Sequence, residues 1–259
     1  MDLQLKDKVI IVTGGAKGIG AAIVKLLASE GAIPVILGRS DRDNIAVVNE
    51  ITANGFKAFH VKTELIRPPE SERAVNIVIE QFGRIDGVVN NAGVNDGVGL
   101  ENGNYEKLMD SLHRNLIHYY LVTHYALKEL IKSKGSIVNI GSKTAETGQG
   151  NTSGYAASNG ARNALTREWA VELLKYGIRV NAVIVAECFT PLYQTWLATL
   201  PNPEEKLKDI ESKIPLGQRM TKAEEIANAV VFLLSPLSSH TTGQLFHVDG
   251  GYVHLDRAL

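Results

Sequence analysis

A glycine-rich segment near the start of the chain has the spacing of a phosphate-binding loop. Residues 13–20 have the sequence Thr-Gly-Gly-Ala-Lys-Gly-Ile-Gly, after an apolar run and before a segment of helical periodicity. Glycines at such a turn let the backbone approach a pyrophosphate, whose negative charge the following helix N-terminus attracts. The segment therefore predicts dinucleotide binding. The contacts that we predict in it are Gly14, Lys17, Gly18, Ile19 and Gly20.

The residues after the second apolar run indicate which dinucleotide is bound. An NAD site usually has a carboxylate there, which accepts hydrogen bonds from the ribose 2′-OH. This chain has Arg39 instead, and a guanidinium suits bidentate binding of phosphate. Lys17 adds a second positive charge within reach of the same region. We expect NADP as the cofactor, with NAD possible; the alternative is that both side chains are solvated surface charges.

Short β-branched runs alternate with longer segments of helical period, which is typical of a parallel sheet covered on both faces. We predict strands at residues 8–13, 33–38, 57–62, 85–90, 136–141, 179–184 and 244–248. Helical spacing occurs at residues 19–30, 42–54, 70–82, 105–131, 154–175 and 222–234. The predicted fold is α/β: a single-domain Rossmann fold over residues 1–259, with a doubly wound seven-stranded parallel sheet and helices on both faces.

One segment interrupts this alternation. Residues 191–219 carry Pro201, Pro203 and Pro215 and lie beside the expected ligand crevice. An insertion at that place favours a substrate lid over a second domain.

Composition narrows the class of protein. The chain has 259 residues, of which 44% are hydrophobic, so it can bury one sizeable core. A formal net charge of -1 without basic clusters argues against nucleic acid or membrane partners. The single cysteine, Cys188, excludes an intramolecular disulfide, and no stretch approaches the ~20 apolar residues of a membrane span. Residues 1–6 lack a secretory apolar core, so we expect a cytoplasmic protein with a small-molecule substrate and no metal site.

Further along the chain, Ser142 follows the apolar run 137–140, and Tyr155 lies thirteen positions after it. With Asn115 and the glycine loop, these residues resemble the short-chain dehydrogenase/reductase superfamily. The resemblance implies hydride transfer between a nicotinamide and a carbinol or carbonyl carbon. It assigns proton exchange with the substrate oxygen to Tyr155, and the holding of that oxygen to Ser142. Asn115 corresponds to the residue that supports a water in the proton relay.

The same resemblance implies further cofactor contacts. Residues 90–93, Asn-Asn-Ala-Gly, would line the adenine-ribose side, and Glu64 takes the place of an aspartate that contacts the adenine amino group. Thr190 matches a residue that contacts the nicotinamide carboxamide. The contacts implied in this way are Glu64, Leu65, Asn91, Ala92, Gly93, Tyr155, Asn159 and Thr190.

Position 159 departs from the family pattern, which has a lysine four residues after the tyrosine. A free tyrosine titrates near ~10, and a neighbouring ammonium stabilises its phenolate. Asn159 can bind ribose hydroxyls but carries no charge. If lysine supplied two to three pH units, its loss withdraws roughly 3–4 kcal/mol from the phenolate. We therefore expect impaired turnover. Lys143, directly after Ser142, is the nearest replacement cation in the sequence, although adjacent strand-end side chains usually diverge.

Polar side chains flank the predicted reaction centre. The predicted substrate contacts are Ser142, Gln149, Asn151, Tyr155, Glu187 and Trp196. A steroid or acyl chain would leave such groups without hydrogen bonds, whereas a sugar would satisfy them. The alternative is that these loop residues are only solvated.

The whole chain, from residues 2–7 through 147–154 to 254–258, is similar to bacterial L-fucose dehydrogenase-like members of the superfamily. This implies oxidation of an aldose at C1 to the lactone, and assembly as a homotetramer. Apolar residues on the fourth and fifth predicted helices could form subunit contacts or be buried within the chain: Leu116, Tyr119, Tyr120, Ala161 and Trp169. The alternative functions are a catalytically inactive dinucleotide-binding relative and a 3-oxoacyl or other ketone reductase.

Overall fold

A computed structural model describes residues 2–255 of the chain. Met1 and residues 256–259 lie outside the described residues, and with them the outer limits of the predicted domain and most of the tail motif 254–258.

The described residues form one seven-stranded sheet, in which every pair of neighbouring strands is parallel. The strands are β1 Val9–Thr13, β2 Ile33–Gly38, β3 Phe59–Lys62, β4 Gly87–Asn90, β5 Ser136–Ser142, β6 Arg179–Val185 and β7 Leu245–Val248. Their order in the sheet is β3-β2-β1-β4-β5-β6-β7. This confirms the predicted doubly wound parallel fold.

Nine α-helices occur in the described part of the chain. They are α1 Gly18–Ser29, α2 Asp41–Ala53, α3 Pro68–Phe82, α4 Tyr105–Leu112, α5 His118–Ser133, α6 Ser153–Glu172, α7 Pro191–Leu197, α8 Pro203–Ser212 and α9 Ala223–Leu234. The segment 191–219 thus contains two short helices, α7 and α8. Within residues 2–255, no helix combines the length and apolarity needed to cross a membrane.

The alternation of side chains along the strands builds two cores, one on each face of the sheet. Ile10 and Val12 of β1 belong to a cluster that includes Leu27 of α1 and residues of α9. Val9 and Ile11 belong to the other cluster, with residues of α3, α5 and α6. All four side chains are buried, and full burial of such a side chain stabilises the fold by about 1.5–3 kcal/mol. Helix packing on both faces therefore fixes the sheet whose carboxyl edge carries the site.

The stretch 105–131 is helical as predicted, but it is not α-helical throughout. A π-helical segment, His113–Ile117, separates α4 from α5. The cause is long-range hydrogen bonding by Asn115: its Oδ1 accepts from Val94 N at 2.7 Å, and its backbone oxygen accepts from the Arg162 guanidinium. In an α-helix the backbone oxygen of Asn115 would accept from the N–H group four residues later. Because Arg162 occupies this oxygen instead, the wider π-helical turn becomes favourable.

Candidate active site

A cavity of about 730 Å³ opens at the carboxyl ends of the strands. Strand order reverses between β1 and β4, since β2 and β3 continue to one side and β5 to β7 to the other. Ligands of doubly wound sheets bind in the crevice at this reversal. The cavity wall includes the glycine loop, the end of β2, the residues after β3 and β4, the end of β5 and the first turn of α6.

The glycine loop has the shape of a phosphate cradle. Gly14 and Gly18 have φ values of +66° and +52°, which side chains of other residues rarely allow. A Cβ atom on Gly20 would lie 2.2 Å from the Gly14 oxygen, so the backbone tolerates no side chain there. Helix α1 begins at Gly18, and its first N–H groups face the cavity region that the loop encloses. The residues present therefore fit a dinucleotide.

Asn91 holds the loop in place from the neighbouring strand. Its Nδ2 donates to the Thr13 oxygen at 2.9 Å. The Thr13 hydroxyl in turn accepts from the backbone N–H groups of Asn91 and Ala92, at 2.8 and 3.0 Å. Asn91, Ala92 and Gly93 all line the cavity, as the sequence predicts. The Asn91 amide is thus already bonded to the protein, and its contribution is to fix the loop.

At the end of the cavity that would hold the adenosine, one of the two predicted cations is already paired with a carboxylate. Arg39 is exposed, lines the cavity, and forms no ion pair with any described residue. Lys17, by contrast, pairs with Asp43 at 2.7 Å, and this hydrogen bond holds the pKa of the Asp43 carboxyl below its usual value. Lys17 is therefore partly neutralised, and Arg39 is the cation available to a phosphate. Four other predicted contacts also line the cavity: Ile19, Glu64, Leu65 and Thr190.

Ser142 and Tyr155 meet in the wall of the same cavity. The Ser142 hydroxyl accepts from the Thr144 backbone N–H at 3.3 Å and lies 3.1 Å from the Thr144 hydroxyl, which orients it at the end of β5. Tyr155 lies in the first turn of α6, immediately above the sheet edge. The structure thus brings the two predicted catalytic side chains together with the predicted cofactor cradle.

Asn159 and Asn115 lie behind this wall, fully buried. Asn159 Nδ2 donates to the Tyr155 backbone oxygen at 2.9 Å, and its Oδ1 accepts from Arg162 Nη1 at 2.9 Å. Arg162 also donates through Nε to the Asn115 oxygen at 2.7 Å and through Nη1 to the Ile140 oxygen at 3.2 Å. Arg162 lines the cavity. The amide at position 159 is therefore held by a buried guanidinium.

The sequence reasoning missed Arg162, although a signal for it exists. Tyr155, Asn159 and Arg162 are spaced by four and three residues, which places them on one face of a helix. Because Tyr155 is predicted to face the ligand, the other two must face inwards as well. A charged residue on an inward helical face is uncommon without a specific partner or function.

Two aromatic residues of α5 complete the surroundings of Arg162. The guanidinium carbon lies 4.2 Å from the centroid of the Tyr119 ring, and burial raises the pKa of Tyr119 to about 12. Burial lowers the pKa of His118 to about 4, and the Arg162 charge acts in the same direction. Both groups are therefore neutral at working pH, so neither offsets the arginine charge.

The substrate side contains a buried ion pair. Lys143 Nζ pairs with Glu187, and the Tyr193 hydroxyl donates to the other Glu187 oxygen at 2.9 Å. Burial and the Glu187 charge raise the pKa of Tyr193 well above its usual value. Lys143 also lies 4.1 Å from the centroid of the Tyr252 ring. The lysine suggested as a replacement cation is thus bonded to Glu187.

The remaining predicted substrate contacts lie outside the cavity wall. Gln149 and Asn151 are exposed in the loop before α6, and Trp196 of α7 packs edge-to-face on Tyr193 at 5.1 Å. Among the described residues, neither these three nor Glu187 lines the cavity itself. Ser142, Tyr155 and most of the predicted cofactor contacts therefore share one cavity, whereas these four predicted substrate contacts lie outside its wall.

Two histidines near the C-terminal end of the described chain approach one carboxylate in this region. His247 Nε2 lies 3.1 Å from both carboxylate oxygens of Glu146, and His254 Nε2 lies 4.0 Å from one of them. Within residues 2–255, these three side chains are the ones whose potential metal-ligand atoms lie close together, all within 4.8 Å of one another. A hydrogen bond between the imidazole and the carboxylate accounts for the close His247–Glu146 contact.

Comparison with known proteins identifies the class. A family model described as Enoyl-(Acyl carrier protein) reductase matches residues 14–253. The chain belongs to the short-chain dehydrogenase/reductase family, and it is an oxidoreductase that acts on CH–OH groups with a nicotinamide cofactor.

Individual relatives cover nearly the whole chain. The L-fucose dehydrogenase of Bos taurus is 34% identical, over 97% of this chain and 91% of its own. The 3-oxoacyl-[acyl-carrier-protein] reductase FabG of Thermotoga maritima is 36% identical, over 97% of this chain and 100% of its own.

Solved structures give the same picture. The crystal structure of Cj0485 dehydrogenase is 49% identical with a TM-score of 0.95, covering 100% of this chain and 99% of its own. The ligand-free aldohexose dehydrogenase of Thermoplasma acidophilum is 30% identical with a TM-score of 0.90, covering 100% and 99%.

Proposed function

We propose that this protein oxidises an aldose at C1 to the corresponding lactone, with L-fucose as the leading candidate and NADP as the cofactor. The observation that carries the proposal is the joining of Ser142 and Tyr155 to a dinucleotide cradle in one cavity. The similarity to L-fucose dehydrogenase over nearly the whole chain supports the choice of substrate class.

The proposed chemistry follows from the two hydroxyl groups. Ser142 donates a hydrogen bond to the C1 oxygen of the sugar and fixes its position. Tyr155 accepts the proton of the C1 hydroxyl while the C1–H bond breaks and the C1=O bond of the lactone forms. A nicotinamide held in the glycine-loop cradle would supply the acceptor for the hydride that leaves C1.

The polar wall beside the reaction centre supports a hydroxylated substrate. Tyr193 of α7 lines the cavity, and its hydroxyl donates to Glu187, which pairs with Lys143 behind the wall. The Tyr193 oxygen can still accept a hydrogen bond from a sugar hydroxyl, a bond that an acyl chain cannot supply. We further propose that residues 191–219, which contain α7 and α8, act as the lid over this side.

Turnover is proposed to be impaired at position 159. Asn159 carries no charge, so it stabilises the Tyr155 phenolate less than a lysine at the same position would. The enzyme is expected to be slow rather than inactive, because Ser142 and Tyr155 are both present in the cavity.

A second candidate is reduction of a 3-oxoacyl group or another ketone. The 36% identity to the FabG reductase of Thermotoga maritima favours it. A third reading, an inactive dinucleotide-binding relative, rests on Asn159 alone.

One set of assays separates the three. The purified protein is given NADP and L-fucose, other aldoses, or no sugar, and in parallel NADPH and a 3-oxoacyl thioester. We expect oxidation of L-fucose or a close aldose, lost in Tyr155→Phe while NADP binding persists. Reduction of the thioester without any aldose oxidation would replace the proposal by the ketone reductase. Cofactor binding with no turnover on either panel would leave the inactive relative.

A further inference from the structure

Arg162 is a buried cation with neutral hydrogen-bond partners. Arg162 is only 3% exposed. Its N–H groups donate to the backbone oxygens of Asn115 and Ile140 and to the Asn159 amide oxygen. No carboxylate of the described residues pairs with it. A guanidinium keeps its charge at all working pH values, and burying one without a counter-ion costs several kcal/mol. Such a cost indicates a role beyond packing.

The geometry of α6 directs this charge towards the reaction centre. Side chains on a helix lean towards its N-terminus, so the long Arg162 side chain reaches back along the face that carries Asn159 and Tyr155. The 2.9 Å bond from Nη1 to the Asn159 oxygen shows that it reaches the level of position 159. Arg162 and Tyr155 line the same cavity.

The other ionisable groups around this end of the cavity leave the arginine charge uncompensated. On α5, His118 and Tyr119 are neutral at working pH, because burial lowers the pKa of the first and raises that of the second. After β5, Lys143 is paired with Glu187, and Tyr193 of α7 is a neutral phenol bonded to the same carboxylate.

Two further charged groups lie nearby: Arg114 of the π-helical segment is paired with Asp110 at 2.7 Å, and the Asp96 carboxylate accepts from the Ser111 hydroxyl at 3.0 Å. Arg162 therefore remains as the cation that faces the Tyr155 end of the cavity without a carboxylate partner among the described residues.

We propose that Arg162 supplies, from behind Asn159, the positive charge that stabilises the Tyr155 phenolate. The positive charge that position 159 lacks is thus supplied one turn later in α6. The amide oxygen of Asn159 orients the guanidinium that carries it. Arg162 also donates to the backbone oxygen of Asn115, the residue that the family resemblance associates with a relay water. Arg162 is a positioning residue, since it acts through Tyr155. The inference rests on the proposed function only in naming Tyr155 as the proton acceptor.

The test is the titration of the Tyr155 phenol in the protein without cofactor or sugar. The protein is labelled with ¹³C at the tyrosine ring carbon that bears the hydroxyl, and the Tyr155 signal is assigned by its loss in Tyr155→Phe. Its chemical shift is followed against pH in the wild type, in Arg162→Met and in Arg162→Lys. The inference expects a midpoint about one pH unit or more higher in Arg162→Met, and a midpoint near the wild type in Arg162→Lys. The same midpoint in all three would overturn it.

Arg162→Met also removes the brace on Asn115, so a second variant protects the test against misfolding. In Asn159→Asp the new carboxylate has the shape of the amide and can accept the same Nη1 bond, which cancels the guanidinium charge in place. The inference expects a higher midpoint there too, and an unchanged one contradicts it. Moving the cation in Asn159→Lys/Arg162→Met should lower the midpoint again relative to Arg162→Met; failure to do so also counts against the inference.

The same variants give a kinetic reading that a purely structural role would not move. Where turnover is measurable, the alkaline shift of the pH–rate profile in Arg162→Met should match the shift of the phenol titration, and Arg162→Lys should restore the profile. An Arg162-dependent titration without oxidation of any aldose would leave the inference standing and end the proposed function. Aldose oxidation with a titration independent of Arg162 would do the reverse.

Discussion

Arg39 and Lys17 were predicted to act together on a 2′-phosphate, but their surroundings differ at the scale of single residues. Arg39 is free to meet a ligand at the end of β2, whereas Lys17 is held by Asp43. Sequence spacing identified both cations, and it could not identify the Asp43 contact, because the relative orientation of the glycine loop and α2 is set by packing. Preference for NADP should therefore depend mainly on Arg39.

Arg39→Ala is expected to weaken NADP binding about 10- to 100-fold while NAD binding changes little. The reason is the loss of a charge-assisted hydrogen bond to the 2′-phosphate, worth about 1.5–3 kcal/mol. Calorimetric titration of each cofactor measures the effect. Arg42→Ala is the matched control, since Arg42 is a neighbouring, highly exposed arginine outside the cavity wall. Equal weakening of NADP and NAD by Arg39→Ala would remove Arg39 from the specificity argument.

At the scale of secondary-structure elements, the strands were predicted well, but the π-helical segment between α4 and α5 was not predicted. Buried β-branched runs are local signals, so all seven strands could be placed from the sequence. The π-helical segment depends on bonds from Asn115 to Val94 and from Arg162, which are distant in sequence. Helical periodicity carries no information about such partners. Asn159 and Arg162, by contrast, are three residues apart on one helix, so their proximity could have been predicted from the sequence although it was missed.

The start of α5 should make stability depend on pH. His118 is buried, with Nε2 2.9 Å from the Arg114 oxygen, and burial lowers its pKa to about 4. The unfolded chain takes up the proton near ~6.5, before the folded protein does. The contribution of His118 to stability is therefore complete above about pH 6.5 and is lost as the pH falls towards 4.

The expected loss in the free energy of unfolding between pH 7 and pH 5 is about 2 kcal/mol from this residue. Urea unfolding at the two pH values measures it in the wild type and in His118→Gln, where the difference should shrink. The exposed His240 provides the control, and His240→Gln should leave the difference as in the wild type. A pH dependence unaltered in His118→Gln would show that other groups cause it.

At the scale of the whole molecule, the exposed apolar residues bear on assembly. Of the suggested subunit contacts, Tyr119 and Trp169 are buried within the chain, whereas Tyr120 is 51% exposed. Val171 and Leu174, near the end of α6, are also exposed. The Tyr120 and Trp169 rings lie 6.5 Å apart, so α5 and the end of α6 lie side by side there.

We expect the protein to be a homotetramer in solution and Val171→Glu to shift it to smaller species, because a charge on an apolar interface must be desolvated. Sedimentation velocity measures the distribution of species. Leu100→Glu is the control, since Leu100 is highly exposed in a loop that contacts the first turn of α6, at the opposite end of that helix from Val171. A wild-type protein that sediments as a monomer would refute the expectation.

The π-helical segment also governs which kinds of sequence change the chain can accept. A π-helical turn closes with an i→i+5 hydrogen bond, so it holds one residue more than an α-helical turn. Removing one residue from His113–Ile117 would therefore convert the segment to ordinary α-helix and leave the phase of α5 unchanged, so that Tyr119 and Leu130 keep facing the core that they now fill. Inserting a residue would instead rotate all that follows by about 100°. The segment is thus expected to accept a shorter length better than a longer one.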